Sequence, residues 1–230
     1  MIIRKNEVGT SESPKDWKPE DRPEILDADA LPAQTTFVWD PISDLWREVN
    51  APDDAVWREH VEARLDLTQF VTHVAMQEYV AENDGFLGNW GINNFYLYRF
   101  ADKKQHRLIP WDEDHAFEPG FFDKSIFRVP DSLPTPALFT RAMAYRDLYD
   151  TFLKTAEDCA IAADKDNWLT SQINDAVSLI RDSVLEDPNR RTDADFPTFD
   201  SAIESLLEFA AKRSSFVLPE VARSRVPGVR

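Results

Sequence analysis

Apolar residues recur at helical spacing over much of this chain, and the stretch where that rhythm fails is the informative one. Val56, Trp57, His60, Val61 and Leu65 stand three and four apart behind Asp53 and Asp54, which predicts a helix with an aspartate cap. A second helix start stands at Asp66, with Gln69 three residues on in the spacing of a capping box. Phe70, Val71, Val74, Ala75, Glu78 and Tyr79 carry that helix toward Asn83. Beyond a Pro-rich connector at residues 119–136 the pattern is helical again. Residues 138–145, 148–163, 168–185 and 199–216 each pair an apolar stripe with polar faces, with Asp166 and Thr198 as caps. Between the two helical blocks the grammar changes. Residues 84–94 contain Gly85, Gly88 and Gly91 and read as a shaped loop. Residues 95–100 are aromatic and strand-like, 101–105 form a polar turn, and 106–111 run back, which predicts a β-hairpin. The fold class is therefore mainly α with a small β-hairpin, and Asp112-Glu113-Asp114-His115 follows the hairpin directly.

This pattern divides the chain. Residues 1–50 are rich in Pro and Trp and predict an irregular N-terminal segment, with Pro14, Pro19, Pro23, Pro32 and Pro41 interrupting any long helix. Residues 51–222 predict one helical domain, and residues 223–230 a tail. At 230 residues and 43% hydrophobic, the chain can bury a substantial core and is too apolar for wholesale disorder. Nowhere do ~18 apolar residues run together, so no transmembrane segment is expected. A net charge of −16 repels phosphate backbones and so excludes nucleic acid as a partner, while it suits a protein that holds cations. Cys159, the single cysteine, rules out an internal disulfide and any multi-cysteine zinc site; it shares a stripe with Ala156, Ala160 and Ala163 and reads as packing. Residues 1–7 lack the apolar core of a signal peptide, and the opening resembles the interior of a longer protein, which leaves the compartment open.

The chemistry concentrates around the hairpin. Asp84 and Asn94 lie on one flank, Asp112 and Asp114 on the other, and a hairpin brings its flanks together. Carboxylates with an amide oxygen make a hard-oxygen set suited to Mg²⁺ or Mn²⁺ bound beside phosphates. Protein kinases show the same order: a catalytic Asp, a metal-binding Asn, then a metal-binding Asp. A plainer reading stands beside this one. Asp84-Gly85 and Asn93-Asn94 are also turn formers, and Asp112 and Asp114 also suit a helix cap or a structural calcium site. His60, His73, His106 and His115 are scattered; His115 is either a further ligand beside Asp114 or a surface and capping residue.

The run Asp84-Gly85, Asn93-Asn94-Phe95-Tyr96-Leu97-Tyr98 and Ile109-Pro110-Trp111-Asp112-Glu113-Asp114-His115-Ala116-Phe117 resembles the CotH kinase family, atypical kinases related to a spore-coat protein. Members show an Asp-rich loop, an Asn-Asn-Tyr-Tyr-Leu-Tyr-like strand and a Pro-Trp-Asp-x-Asp-x-x-Phe turn. The stretch Leu65-Asp66-Leu67-Thr68-Gln69-Phe70 is similar to the helix start that precedes the family's catalytic loop. Tyr145-Arg146-Asp147-Leu148-Tyr149 and Lys212-Arg213-Ser214-Ser215-Phe216-Val217 are similar to its C-terminal helices, so the likeness covers about residues 50–220. It implies a phosphotransferase using ATP and Mg²⁺ (or Mn²⁺), acting on a protein Ser or Thr, with a fold like the C-lobe of a protein kinase. By position, Asp84 matches the catalytic aspartate, Asn94 the asparagine on the metal and nucleotide side, and Asp112 and Asp114 the two acidic positions of the metal-binding turn. Tyr96 and Tyr98 are expected to pack the hairpin.

The front of the chain departs from a kinase. Gly9, Gly120 and Gly228 stand alone, so no Gly-rich phosphate loop is present, and no strand-borne Lys is followed by a helix carrying a Glu partner. The expectation is a partial domain with weak activity by itself. The alternative is a non-catalytic CotH-like structural or binding module that retains a divalent-cation loop. The family resemblance implies a spore-coat, cell-envelope or extracellular setting.

Overall fold

Helix α3 (Leu67–Tyr79) is buried on nearly every side, which a 13-residue segment achieves only at the centre of a helical domain. Phe70, Val71, Val74 and Ala75 are wholly inaccessible, and only Thr68 and Met76 within it are exposed. The computed structural model describes residues 2–4, 40–99, 105–129, 135–189 and 198–226. In chain order the elements are β1 (Ile2–Arg4), α1 (Asp40–Asn50), α2 (Asp54–Glu62), α3, β2 (Phe95–Arg99), β3 (His106–Pro110), α4 (Ala137–Met143), α5 (Arg146–Asp164), α6 (Trp168–Glu186) and α7 (Phe199–Ser224). Helix α3 packs on α5, α5 on α7, and α6 covers both α5 and α7. Among the described residues no helix is long and apolar enough to cross a membrane.

The helices expected from periodicity are present, with instructive differences at their ends. Asp53 caps α2 by accepting the Ala55 N–H, and Thr198 caps α7 by accepting the Ser201 N–H. Asp166 does not cap α6: it lies in a 3₁₀ turn (Lys165–Asn167) with φ 55, and the cap position falls to Asn167 without a side-chain bond. Helix α7 continues well past Phe216, through Pro219, so the expected tail begins only after Ser224. The irregular reading of residues 1–50 is corrected at both ends, while residues 5–39 lie outside the described residues. Residues 40–50 are helical because Pro41 stands in the first turn, where a missing N–H has no bond to lose. Ile42, Leu45 and Val49 then form a buried stripe. Residues 2–4 form a strand inside the segment read as irregular.

The hairpin is present and gains that strand. The sheet runs in the order β1-β2-β3, antiparallel throughout, with Phe95 opposite Pro110 and Arg99 opposite His106. Its anchor to the helices is the junction before α3. Asp66 N–H donates to the His106 carbonyl at 3.0 Å, and His106 N–H donates to the Arg64 carbonyl. Gln69 departs from the capping box. Asp66 accepts the Gln69 N–H at 3.0 Å as expected, but the Gln69 side chain turns away to clamp Leu108, accepting its N–H and donating to its carbonyl, both at 2.9 Å. One residue thereby fixes β3 on α3, and with it the flank that carries Asp112.

Candidate functional site

The loop that holds Asp84 begins where α3 is forced to stop. Ala81 takes a left-handed φ of 54, and Glu82 N–H returns to the Gln77 carbonyl at 2.9 Å. The last carbonyls of α3 are held from the other end of the chain. Arg213, fully buried on α7, donates from Nε to the Tyr79 carbonyl at 2.7 Å and from Nη2 to the Glu78 carbonyl at 2.6 Å. Its Nη1 donates to the carbonyls of Phe122 and Lys124. The turn after Asp84 is too tight for side chains. A Cβ on Gly88 would sit 2.6 Å from the Asn83 carbonyl oxygen, and one on Gly85 would sit 2.9 Å from Cδ and Oε1 of Gln77.

Asp84 is gripped at both oxygens. Asn93 Nδ2 donates to Oδ1 at 2.8 Å and Asn94 Nδ2 donates to Oδ2 at 2.9 Å. Asn94 is buried, with φ 56, and its carbonyl accepts the Trp111 N–H at 3.1 Å. That bond closes the base of the hairpin, so Asp112 follows immediately after the residue paired with Asn94. Asp112 is exposed and also left-handed, with φ 57, a conformation that Asp tolerates better than most residues. The predicted convergence therefore brings Asp84 and Asn94 into contact, with Asp112 one residue from Asn94's partner. Asp114 is exposed in the following turn and no direct bond joins it to Asp84. Tyr96 packs edge-on against Trp111 at 5.1 Å, a hairpin contact as expected.

The two flanks are stitched together beyond the hairpin. Asn83 N–H donates to the His115 carbonyl at 3.1 Å, and Phe117 N–H to the Val80 carbonyl at 2.9 Å. His115 Nδ1 lies 2.6 Å from Glu118 Oε1, and its ring packs edge-on against Trp90 at 5.0 Å. The Glu118 bond raises the imidazole's pKa, with the charges of Asp114 and Asp84 adding to it. Among the described residues no group of three or more His, Cys, Asp or Glu side chains could hold a metal ion by itself.

Several participants were not legible in the sequence. Glu82, fully buried, accepts the Asp84 N–H on Oε1 at 2.7 Å, and burial pushes its carboxyl up to about 7. Gln77 accepts the Phe86 N–H at 2.9 Å and donates to Glu113 Oε1 at 2.8 Å. Burial also raises the carboxyls of Glu113 and Glu78 and lowers the Lys124 ammonium, whose Nζ donates to the Glu82 carbonyl at 3.2 Å. The Asp84 loop thus rests on a buried bed of charged and amide groups. Nothing in the spacing of Glu78 and Glu82 marks them as buried; in the fold Lys124 and Arg213 of α7 act on the Glu78 carboxyl, and Lys124 bonds the Glu82 carbonyl. Asn93 stood next to an assigned residue, and its own role required the fold.

A family model described as CotH kinase protein matches residues 11–217. No curated protein matches the chain.

Proposed function

Because the chain belongs to the CotH kinase family, whose model spans most of its length, we propose that it transfers the γ-phosphoryl group of ATP, with Mg²⁺ or Mn²⁺, to a Ser or Thr hydroxyl of a protein. The observation that carries this reading is Asp84, held at both oxygens by Asn93 and Asn94 beside the flank that presents Asp112. Each amide occupies one lone pair of an Asp84 oxygen and leaves the carboxylate able to accept a further hydrogen bond from a substrate hydroxyl. Fixing that carboxylate orients the attacking oxygen, and orientation with charge neutralisation is most of what phosphoryl transfer asks of a protein.

The donor set fits the cation. Mg²⁺ keeps several waters and takes only one or two carboxylates besides substrate phosphates, whereas a calcium cage needs about six to eight oxygens. Asp112, the amide oxygen of Asn94 and the acidic position at Asp114 are the groups that would hold the ion. The ion, when bound, supplies positive charge against the phosphate oxygens. Asn94 donates its amide nitrogen to Asp84, so any side-chain contact it makes with the ion is through its oxygen.

The test is transfer of radiolabelled phosphate from ATP by the 230-residue chain, with Mg²⁺ or Mn²⁺ and a Ser/Thr-containing protein acceptor. Slow, metal-dependent transfer is expected, since no Gly-rich loop is available to grip the phosphates. Asp84→Ala and Asp112→Ala should each lower the rate by ~100-fold or more. Turnover that neither substitution affects would place the chemistry elsewhere.

A further inference from the structure

We propose that Gln77 is a positioning residue that fixes the Asp84 loop against the Asp112–Asp114 turn, setting the distance between the two halves of the site. The inference rests on the phosphotransfer reading for its consequence, but not for its geometry. Gln77 is buried in the last turn of α3 and makes three bonds that converge on the site. Its carbonyl accepts the Glu82 N–H at 2.9 Å, and its Oε1 accepts the Phe86 N–H at 2.9 Å, so the loop is held on both sides of Asp84. Its Nε2 donates at 2.8 Å to Oε1 of Glu113, the residue between Asp112 and Asp114. Residues 36 apart are thus joined through one amide.

The chemistry of the position admits few substitutes. The side chain must accept from a backbone N–H and donate to a carboxylate, which an amide does and which neither a carboxylate nor an ammonium can do. It must also lie flat beneath the turn, because a Cβ on Gly85 would stand 2.9 Å from its Cδ. The backbone bonds of Asn83 to His115 and of Phe117 to Val80 join the same two segments farther along. Trp111 N–H on the Asn94 carbonyl ties them at the base of the hairpin as well, but none of these three bonds reaches Glu113 or the turn after Gly85. Loss of the Gln77–Glu113 bond therefore lets Glu113 and the turn after Gly85 shift relative to each other while the other bonds between the two segments remain. A misplacement of that kind lowers kcat more than it raises KM for ATP.

The decisive experiment reverses the bond. Gln77→Glu keeps the acceptor for Phe86 N–H but sets a carboxylate against Glu113; adding Glu113→Gln supplies a donor from the other side. Amide hydrogen exchange is followed in residues 82–94 and 111–118 of the full chain, alongside ATP-dependent transfer. Gln77→Glu is expected to speed exchange in both segments by ~10-fold and to lower kcat by at least ~10-fold with KM for ATP within about twofold. The double variant should return both readouts toward wild type. Exchange that rises in one segment alone, or a double variant no better than Gln77→Glu, overturns the proposal. If Gln77→Glu does not fold, Glu113→Ala removes the same bond from the half-buried partner. Faster exchange in residues 83–94 supports the coupling, because the Glu113 side chain is bonded to Gln77 rather than to that segment, and unchanged exchange there refutes it. Restored exchange in a chain whose wild type transfers no phosphate would sink the phosphotransfer reading and leave the coupling intact.

Discussion

Arg213→Met should be among the most damaging single substitutions in this protein. The guanidinium is wholly buried and donates to four backbone carbonyls, those of Glu78, Tyr79, Phe122 and Lys124. Its ring neighbours Phe209 and Phe216 lie 5.8 Å away, so the methionine stem can fill much of the space. What it cannot replace are the donors. Two carbonyls at the end of α3 and two from residues 122–124 lose their partner, each charge-assisted bond being worth about 1.5–3 kcal/mol in isolation. Buried Glu78 also loses a cation whose field opposes the cost of its own burial. These losses overlap, and breaking one side of a buried charge network costs about 3–5 kcal/mol, so ~4 kcal/mol is the working figure. Urea unfolding followed by tryptophan fluorescence, with an m-value of ~2 kcal/mol/M, should show the midpoint falling by about 2 M. Arg213→Lys restores the charge without the planar fork and should recover about half of the loss. A loss below ~1 kcal/mol for Arg213→Met, with m unchanged, would show that α3 and its loop do not depend on this clamp.

Three other perturbations test separate parts of the argument. Gly85→Ala pushes a methyl group against Gln77 and the Glu82 side chain, both at 2.9 Å, and should cost about 1–3 kcal/mol in thermal unfolding. Stability equal to wild type would mean that the loop does not lie on Gln77. His73 is buried and its pKa is lowered by burial from 6.5 to about 4, so between those pH values the unfolded chain binds more protons than the folded one. Stability from this group is therefore lost as pH falls from 6.5 through 4, by about 3 kcal/mol in total, and His73→Leu should flatten that limb of a pH–stability curve. Glu82 has the opposite sign: burial raises its pKa from 4.5 to about 7, so its contribution is full below 4.5 and lost as pH rises through 7. Glu82→Gln keeps an oxygen for the Asp84 N–H and should gain about 2 kcal/mol over wild type near pH 8 and little near pH 4; an equal effect at both values would refute the assignment.

The sequence alone determined the helices α2 through α7, the hairpin, and the placing of Asp84 and Asn94 on one of its flanks and Asp112 and Asp114 on the other. Each follows from a short-range rule. Periodicity reports which face of a contiguous segment is buried, and a hairpin must bring its own flanks together, as the Trp111–Asn94 bond does. Where local rules allow two outcomes, pattern does not decide between them: Pro41 reads as a breaker, yet it stands in the first turn of α1. The partners of the polar side chains were decided only by tertiary structure. Gln69 has the spacing of a capping box yet spends its amide on Leu108, 39 residues away. Gln77 joins Phe86 to Glu113, and Arg213 holds Tyr79 across 134 residues. Nothing in a residue's type or near neighbours specifies such a contact. A buried hydrogen bond is set by where the packed helices place a donor against an acceptor that has lost its water, and that geometry exists only once the chain is folded.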